Sequence, residues 1–162
     1  MNNTLQESPK KIIIIIGKAL TGKTTLASKL VNHLHIETST VVKKISGEVS
    51  RAGLQNTGSF DTLIAQDIID TLSSDKPYVI TGIRQLSILK MITDTLSADE
   101  YEIVLLEVPM EELKRRYINR HEMKDDLVFE DIIERDDTLG LKELEAYLYT
   151  KEQYPVTILQ NY

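Results

Sequence analysis

Apolar residues in this chain form two patterns: short continuous runs, and longer stretches in which they recur every three or four positions. The continuous runs are rich in β-branched residues, which are stiff in a helix and suit strands buried on both faces of a parallel sheet. They predict five strands, at residues 11–16, through Val41 and Val42, and at residues 78–81, 103–106 and 156–159.

The periodic stretches predict helices, because residues three and four apart share one face of a helix. Residues 60–72 carry the clearest apolar stripe, and Ser46 is a plausible N-cap for a helix that Gly53 ends. Helices are predicted at residues 24–31, 46–53, 60–72, 88–96, 111–120, 129–139 and 141–149.

A glycine-rich loop joins the first strand to the first helix. Its residues are Gly17, Lys18, Ala19, Leu20, Thr21, Gly22, Lys23 and Thr24, followed by Thr25. The spacing G-x-x-x-x-G-K-T is that of a phosphate-binding P-loop, and the required order of strand, loop and helix is present. The alternative is a glycine-rich turn with a surface lysine, which the flanking pattern disfavours.

The P-loop pattern has a direct chemical meaning. Gly17 and Gly22 let the backbone bend and approach a phosphate without a Cβ in the way. The loop amides and the helix dipole favour an anion at the same place. Lys23 would bind the β- and γ-phosphates of a nucleotide, and Thr24 would offer its hydroxyl to Mg²⁺.

Two further arginines are candidates for binding the phosphoryl acceptor. Arg51 follows Glu48 in the helix predicted at residues 46–53, which would close over the acceptor; the alternative is an ordinary surface helix. Arg84 follows the third predicted strand, and ligands of open parallel sheets bind beyond the carboxyl ends of strands. The alternative for Arg84 is an ion pair that caps the next helix.

The chain after the fourth predicted strand has the pattern of a lid. Arg116 and Arg120 share one face of the helix predicted at residues 111–120, a polar stretch follows, and Arg135 lies on the returning helix. Arginine suits a lid because its guanidinium binds two phosphate oxygens at once. We therefore predict a lid over about residues 111–138; the alternative is a solvated helical hairpin.

Composition narrows the function classes. A length of 162 residues predicts one domain, with residues 1–10 as a loose tail. The chain has no cysteine, and its apolar runs are too short to span a bilayer, so we expect a cytoplasmic protein. The net charge of −6 argues against general nucleic-acid binding. His33 and His35 are expected at a helix end or on the surface rather than on a metal.

These features together resemble the P-loop small-molecule kinases, and most closely the nucleoside monophosphate kinase and dephospho-CoA kinase-like group. The loop ending at Thr25 is similar to the phosphate loop of deoxynucleoside monophosphate kinases. Residues 45–48 with Arg51 resemble the start of the monophosphate-binding helix, and residues 116–120 resemble the R-x-x-x-R lid motif. Residues 129–136 look like the lid-return helix of dephospho-CoA kinase-like proteins.

The resemblance implies an α/β, three-layer P-loop NTPase fold with a five-stranded parallel sheet of order 2-3-1-4-5, helices on both faces and a small helical lid. It implies ATP and Mg²⁺ as cofactors, held by Lys23 and Thr24. It places Arg120, and with it Arg116 and Arg135, on the transferring phosphate. Arg51 and Arg84 are implied to bind the acceptor, a small-molecule nucleotide, in a monomer or homodimer.

One position departs from the pattern of these kinases. They usually carry an aspartate at the end of the third strand, where it helps to hold Mg²⁺ through water. Here Thr81 or Gly82 takes that place, and neither is acidic. Glu48 is a candidate to supply the carboxylate from the other side of the site, as a base or through a metal-bound water.

Three hypotheses follow. The first is a kinase that moves the γ-phosphoryl group of ATP to a nucleoside or deoxynucleoside monophosphate. The second is a kinase of the same fold that acts on dephospho-CoA, a nucleoside or a nucleic-acid end. The third is a nucleotide-binding regulatory protein or degraded kinase with little turnover. The chain has no N-K-x-D guanine motif, which disfavours a GTPase switch.

Overall fold

The computed structural model describes residues 10–52, 60–121, 128–150 and 155–160. The strands are β1 (Ile12–Ile16), β2 (Leu34–Glu37), β3 (Tyr78–Thr81), β4 (Tyr101–Glu107) and β5 (Val156–Gln160). The helices are α1 (Lys23–Lys29), α2 (Thr38–Ala52), α3 (Phe60–Leu72), α4 (Leu86–Thr93), α5 (Met110–His121), α6 (Phe129–Leu139) and α7 (Leu141–Thr150). Except for Lys10, the predicted N-terminal tail lies outside these residues.

The five strands form one parallel sheet in the order β2-β3-β1-β4-β5, which confirms the predicted order. Strand β1 lies at its centre, where Ile14 is opposite Ile80 of β3 and Ile103 of β4. All five isoleucines of β1 are at most 1% exposed. Alternate isoleucines share one core with α2, α3, α4 and α7, and the others share a second core with α1. Burial on both faces explains why the strand is apolar throughout.

Most predicted elements are confirmed. Strand β3 and helices α3 and α6 begin and end at the predicted residues. The first, fourth and fifth strands are also present within one or two residues of their predicted ends.

The second strand was predicted in the wrong place. Strand β2 is Leu34–Glu37, and Val41 and Val42 lie in helix α2, which begins at Thr38. Ser46 is therefore inside this helix and is not its N-cap. His35 lies in β2 and is exposed, so the surface position is the part of its prediction that is confirmed.

Tertiary packing overrides β-propensity in this segment. Val41 and Val42 lie against the same core as Ile45, which is buried, and the spacing of Val41 and Ile45 is that of one helix face. The cost of a β-branched residue in a helix is only a few tenths of a kcal/mol, on the order of 0.5. Strand β2 pairs with β3 at the edge of the sheet, where Leu34 and His35 are exposed and Ile36 and Glu37 are partly buried.

A membrane crossing needs a long apolar helix, and none of the helices in the described ranges meets that requirement.

The central position of β1 makes a stability prediction. Replacing Ile14 by alanine should lower the free energy of unfolding by about 2–5 kcal/mol, because a fully buried side chain is lost and a cavity remains. Val31→Ala is the control, since Val31 is 83% exposed and its loss should change stability by about 0.5 kcal/mol or less. Urea unfolding of the two variants measures both. Equal effects would contradict this placement of β1.

Candidate active site

The glycine-rich loop folds tightly between β1 and α1. Leu20 and Gly22 have positive φ angles of 71° and 96°. A Cβ on Gly17 would lie 2.7 Å from Oγ1 of Thr21 and 3.3 Å from Cβ of Leu106. The close approach therefore requires glycine at position 17, and the left-handed backbone favours glycine at position 22.

The carbonyl oxygen of Lys18 organises the inside of the loop. It accepts hydrogen bonds from the backbone N–H of Thr21 at 3.3 Å and from the Thr21 hydroxyl at 2.8 Å. Nζ of Lys23 donates to the same oxygen at 2.8 Å. The ammonium group of Lys23 therefore lies against the backbone of the loop, close to the N-terminus of α1. Helix N-termini attract anions.

The environment of Lys23 sets its charge. Burial, and next the positive charge of Arg84, lower the pKa of Lys23 to about 8. The carboxylates of Asp136, Glu37 and Glu145 act in the opposite direction. Most Lys23 side chains are therefore still protonated at neutral pH and able to attract a phosphate.

Helices α5 and α6 both contact the loop through charged side chains. Oδ2 of Asp136 accepts a hydrogen bond from the backbone N–H of Ala19 at 2.8 Å. Nη1 of Arg116 donates to the carbonyl oxygen of Leu20 at 2.9 Å, while its Nε donates to Glu112 at 3.0 Å. The loop is consequently held by the two helices on either side of the predicted lid turn.

A cleft borders the loop at the carboxyl ends of β4 and β5. Its volume is about 360 Å³, and Lys18, Glu107, Glu145 and Gln160 are among its lining residues. Nζ of Lys18 donates to Oε1 of Glu145 at 3.0 Å, so helix α7 also contacts the loop.

Arg84 lies where the sequence predicted it, because β3 and β1 are neighbours. Its side chain is already engaged: Nε donates to Oδ1 of Asp136 at 2.5 Å, and Nη1 donates to the carbonyl oxygen of Gly82 at 3.1 Å. Asp136 is 2% exposed. The ion pair was the alternative weighed for Arg84, and it joins the end of β3 to α6.

The other predicted arginines differ in position. The side chain of Arg135 is exposed and makes no hydrogen bond or ion pair with the residues the structure describes. The side chains of Arg51, Arg120 and Glu48 lie outside the described residues. Among the arginines predicted to bind the transferring phosphate or the acceptor, Arg84 and Arg116 are therefore the two whose described side chains lie near the glycine-rich loop.

A carboxylate from β2 occupies the place near the end of β3 where an acid was expected. Glu37 is opposite Thr81 in the parallel pairing, and its Oε1 accepts a hydrogen bond from the Thr81 hydroxyl at 2.6 Å. A Cβ on Gly82 would lie 2.7 Å from Oε2 of Glu37. Glu37 is not among the predicted site residues, because the second strand was predicted at Val41 and Val42; the acid that ends the alternating run Leu34–Glu37 is the signal in the sequence.

The side chains at the start of α1 include oxygen ligands that fit Mg²⁺. Thr24 and Thr25 are exposed at the start of α1, and Mg²⁺ prefers oxygen ligands such as their hydroxyls. Across the described ranges, no three His, Cys, Asp or Glu side chains are grouped to hold a metal ion. A Mg²⁺ ion at this loop would accordingly depend on Thr24 and on the phosphates of a nucleotide.

Solved structures with a similar fold include three kinases. A gluconokinase from Sinorhizobium meliloti 1021 matches with a TM-score of 0.61 and 12% identity over 91% of this chain and 81% of that protein. A shikimate kinase from Bacteroides thetaiotaomicron matches with a TM-score of 0.55 and 17% identity over 93% and 85%. A sugar kinase from Janibacter sp. HTCC2649 matches with a TM-score of 0.55 and 14% identity over 94% and 86%.

These similarities establish the fold of the P-loop kinases for this chain. No protein-family model matches the sequence, and no curated protein sequence is significantly similar to it. Sequence identities of 12–17% show the fold and do not assign the chain to one group of kinases.

The lowered pKa of Lys23 predicts that nucleotide binding takes up a proton in alkaline solution. With a pKa of about 8, roughly nine-tenths of free Lys23 is neutral at pH 9, whereas bound phosphates favour the ammonium form. Affinity for ATP should therefore fall as pH rises above 8. Calorimetry in two buffers of different ionisation enthalpy should give close to one proton taken up at pH 9 and little at pH 7. Lys29→Ala, on the same helix, should behave as the wild type, and absence of uptake at pH 9 would contradict the assignment.

The ion pair of Arg84 and Asp136 should be strongly coupled because Asp136 is buried. We expect Arg84→Gln and Asp136→Asn to cost about 3 kcal/mol each in unfolding free energy, and the double variant to cost about 1–3 kcal/mol less than their sum. Urea unfolding of the four proteins measures this. The exposed pair of Lys44 and Asp67 is the comparison, with an expected coupling of about 0–1 kcal/mol. Additive effects at Arg84 and Asp136 would refute the coupling.

Proposed function

We propose that this chain is an ATP-dependent phosphotransferase that moves the γ-phosphoryl group of ATP to a small-molecule acceptor. The observation that carries the proposal is the loop itself, with Lys23 placed over a tight, glycine-dependent backbone at the N-terminus of α1. The kinase fold of the similar structures supports it.

The residues around the loop fit the requirements of phosphoryl transfer, in which positioning and charge neutralisation do most of the work. The loop amides would bind the phosphates, and Lys23 would turn from the Lys18 carbonyl to neutralise the β- and γ-phosphates. A bound Mg²⁺, with Thr24 as its ligand, would supply further neutralisation of phosphate charge. Arg116 donates to the carbonyl of Leu20, and we propose that it would bind the transferred group after a movement of α5. We propose the same role for Arg120 and Arg135.

The acceptor is the finer part of the proposal. A nucleoside monophosphate is the acceptor that the sequence favoured, and it requires free cationic groups for its phosphate. Arg84 is held by Asp136, and Glu37 places a negative charge beside Thr81 at the end of β3, both of which favour an acceptor without a phosphate group. The names of the similar structures, which refer to gluconate, shikimate and sugars, point the same way.

Loss of the Lys23 ammonium should abolish phosphoryl transfer while the protein stays folded. The assay is coupled ADP release with ATP, Mg²⁺ and a panel of acceptors: sugars, sugar acids, shikimate, nucleosides, dephospho-CoA and each ribo- and deoxynucleoside monophosphate. We expect acceptor-dependent ADP release from the wild type and a loss of about 100-fold or more in Lys23→Ala.

Lys29→Ala is the matched control, because it removes a lysine from the same helix and should leave turnover unchanged. Unchanged ATP affinity and turnover in folded Lys23→Ala would refute the site. ATP binding by the wild type without ADP release on any acceptor would support the regulatory or degraded-kinase alternative instead.

A further inference from the structure

We propose that the groove between helices α5 and α6 is a binding site for a small organic cation with an apolar body, of the class of the alkyl- and arylamines. It is called the α5–α6 groove below. Its lining residues take no part in the proposed phosphotransferase reaction, and binding of the cation does not rest on that function. Only the expected effect of the cation on nucleotide affinity rests on it.

The interior of the α5–α6 groove is apolar. Its volume is about 440 Å³, and its lining includes Met110 from α5 together with Phe129 and Ile133 from α6. Phe129 is buried, whereas Met110 is 47% exposed to solvent. Small-molecule sites have volumes of roughly 300–1,000 Å³, whereas a protein partner usually covers on the order of 800 Å² of each surface. The size of the groove therefore favours a small ligand.

The remaining side chains that line the α5–α6 groove are charged, and most of them are acidic. The described lining contains the ammonium group of Lys114 and the carboxylates of Glu111, Glu130, Glu134 and Asp137. Within the described ranges of the chain, none of these five side chains makes a hydrogen bond or an ion pair. The carboxylates therefore leave an excess of negative charge around the groove, which attracts a cation.

The spacing of these carboxylates favours an organic cation over a metal ion. A metal ion needs several ligands in direct contact, and among the residues that the structure describes no three His, Cys, Asp or Glu side chains are grouped to hold one. An ammonium group has no such requirement, because carboxylates at longer distances still attract it. The apolar body would cover Met110 and Ile133, while the ammonium group stays in water beside the exposed carboxylates.

Helix periodicity explains how α6 combines the two kinds of surface. Phe129 and Ile133 are four positions apart, as are Glu130 and Glu134, so an apolar pair lies beside an acidic pair on this helix. The two helices also touch through the rings of Tyr117 and Phe129, whose centroids are 5.7 Å apart. A ligand in the groove would therefore contact both helices.

An occupant of the α5–α6 groove would act on the glycine-rich loop through these helices. Helix α5 contacts the loop through Arg116, and helix α6 contacts it through Asp136. A ligand that bridges the helices would stabilise the separation at which both contacts exist. In the proposed function, Arg116 leaves Leu20 after a movement of α5. The cation should therefore weaken nucleotide binding, and by linkage a bound nucleotide should weaken binding of the cation by the same factor.

Three probes test the charge and the apolar body of the ligand separately. 4-Phenylbutylamine has both features, 5-phenylvalerate carries the opposite charge on the same phenylbutyl body, and butylamine lacks the ring. We expect 4-phenylbutylamine to bind with a Kd of about 1 mM, as a ligand of this size allows. The other two should each bind more weakly by about tenfold or more. In a methyl NMR titration, the signals of Met110 and Ile133 should shift, and that of the exposed Val31 should not.

A pair of double variants separates the groove from the general charge of the protein. Glu130→Gln with Glu134→Gln should weaken binding of 4-phenylbutylamine by about fivefold or more, because two of the attracting charges are lost. The matched control is Asp131→Asn with Glu143→Gln, which removes two charges from exposed positions of α6 and α7 outside the groove lining. The control should leave the Kd within about twofold of the wild type.

The outcomes for the site and for the proposed function are distinguishable. Equal affinity for 4-phenylbutylamine and 5-phenylvalerate, equal losses in the two double variants, or unshifted signals of Met110 and Ile133 would overturn the site. Saturating 4-phenylbutylamine should raise the Kd for ATP by about fivefold, and an unchanged Kd would overturn the coupling to the loop. A wild type that binds no ATP would refute the proposed function, and the amine titration would still decide the site.

Discussion

Burial of β1 on both faces is the constraint on which the rest of this structure depends. Five consecutive isoleucines can avoid water only if strands lie on both sides and helices cover both faces. That arrangement fixes β1 at the centre of the sheet, and the loop that follows it must emerge at the middle of the carboxyl edge. The ends of β3 and β4 flank this point, so the residues directly after those strands are brought near the glycine-rich loop.

How much of the molecule the sequence predicts depends on whether the signal is local. The glycine-rich loop between a strand and a helix, and the central strands, were predictable because the pattern and its flanks are contiguous. The second strand was not, because Val41 and Val42 carry strand propensity while their packing decides in favour of a helix. That one error also concealed Glu37, whose meaning depends on its position at a strand end.

The partners of the loop could not be predicted for a different reason. Asp136 and Ala19 are 117 positions apart, and no pattern around either residue indicates that they meet. The same holds for Lys18 and Glu145. Arg84 was located correctly because the strand order follows from the fold, but its engagement with a buried carboxylate requires the coordinates of α6. The position of Arg84 was predictable because its strand was identified correctly, whereas the pairing of charges across helices has no local signal.

The contacts of Arg116 and Asp136 have a mechanical consequence. Arg116 of α5 donates a hydrogen bond to the carbonyl of Leu20, and Asp136 of α6 accepts one from the amide of the adjacent Ala19. The two helices lie on either side of the predicted lid turn. A rotation that carries either side chain away from the loop would break its hydrogen bond to the backbone that would hold the phosphates. A closing motion of the predicted lid would therefore pivot at the proposed nucleotide site, and occupancy of that site and the angle between α5 and α6 would change together.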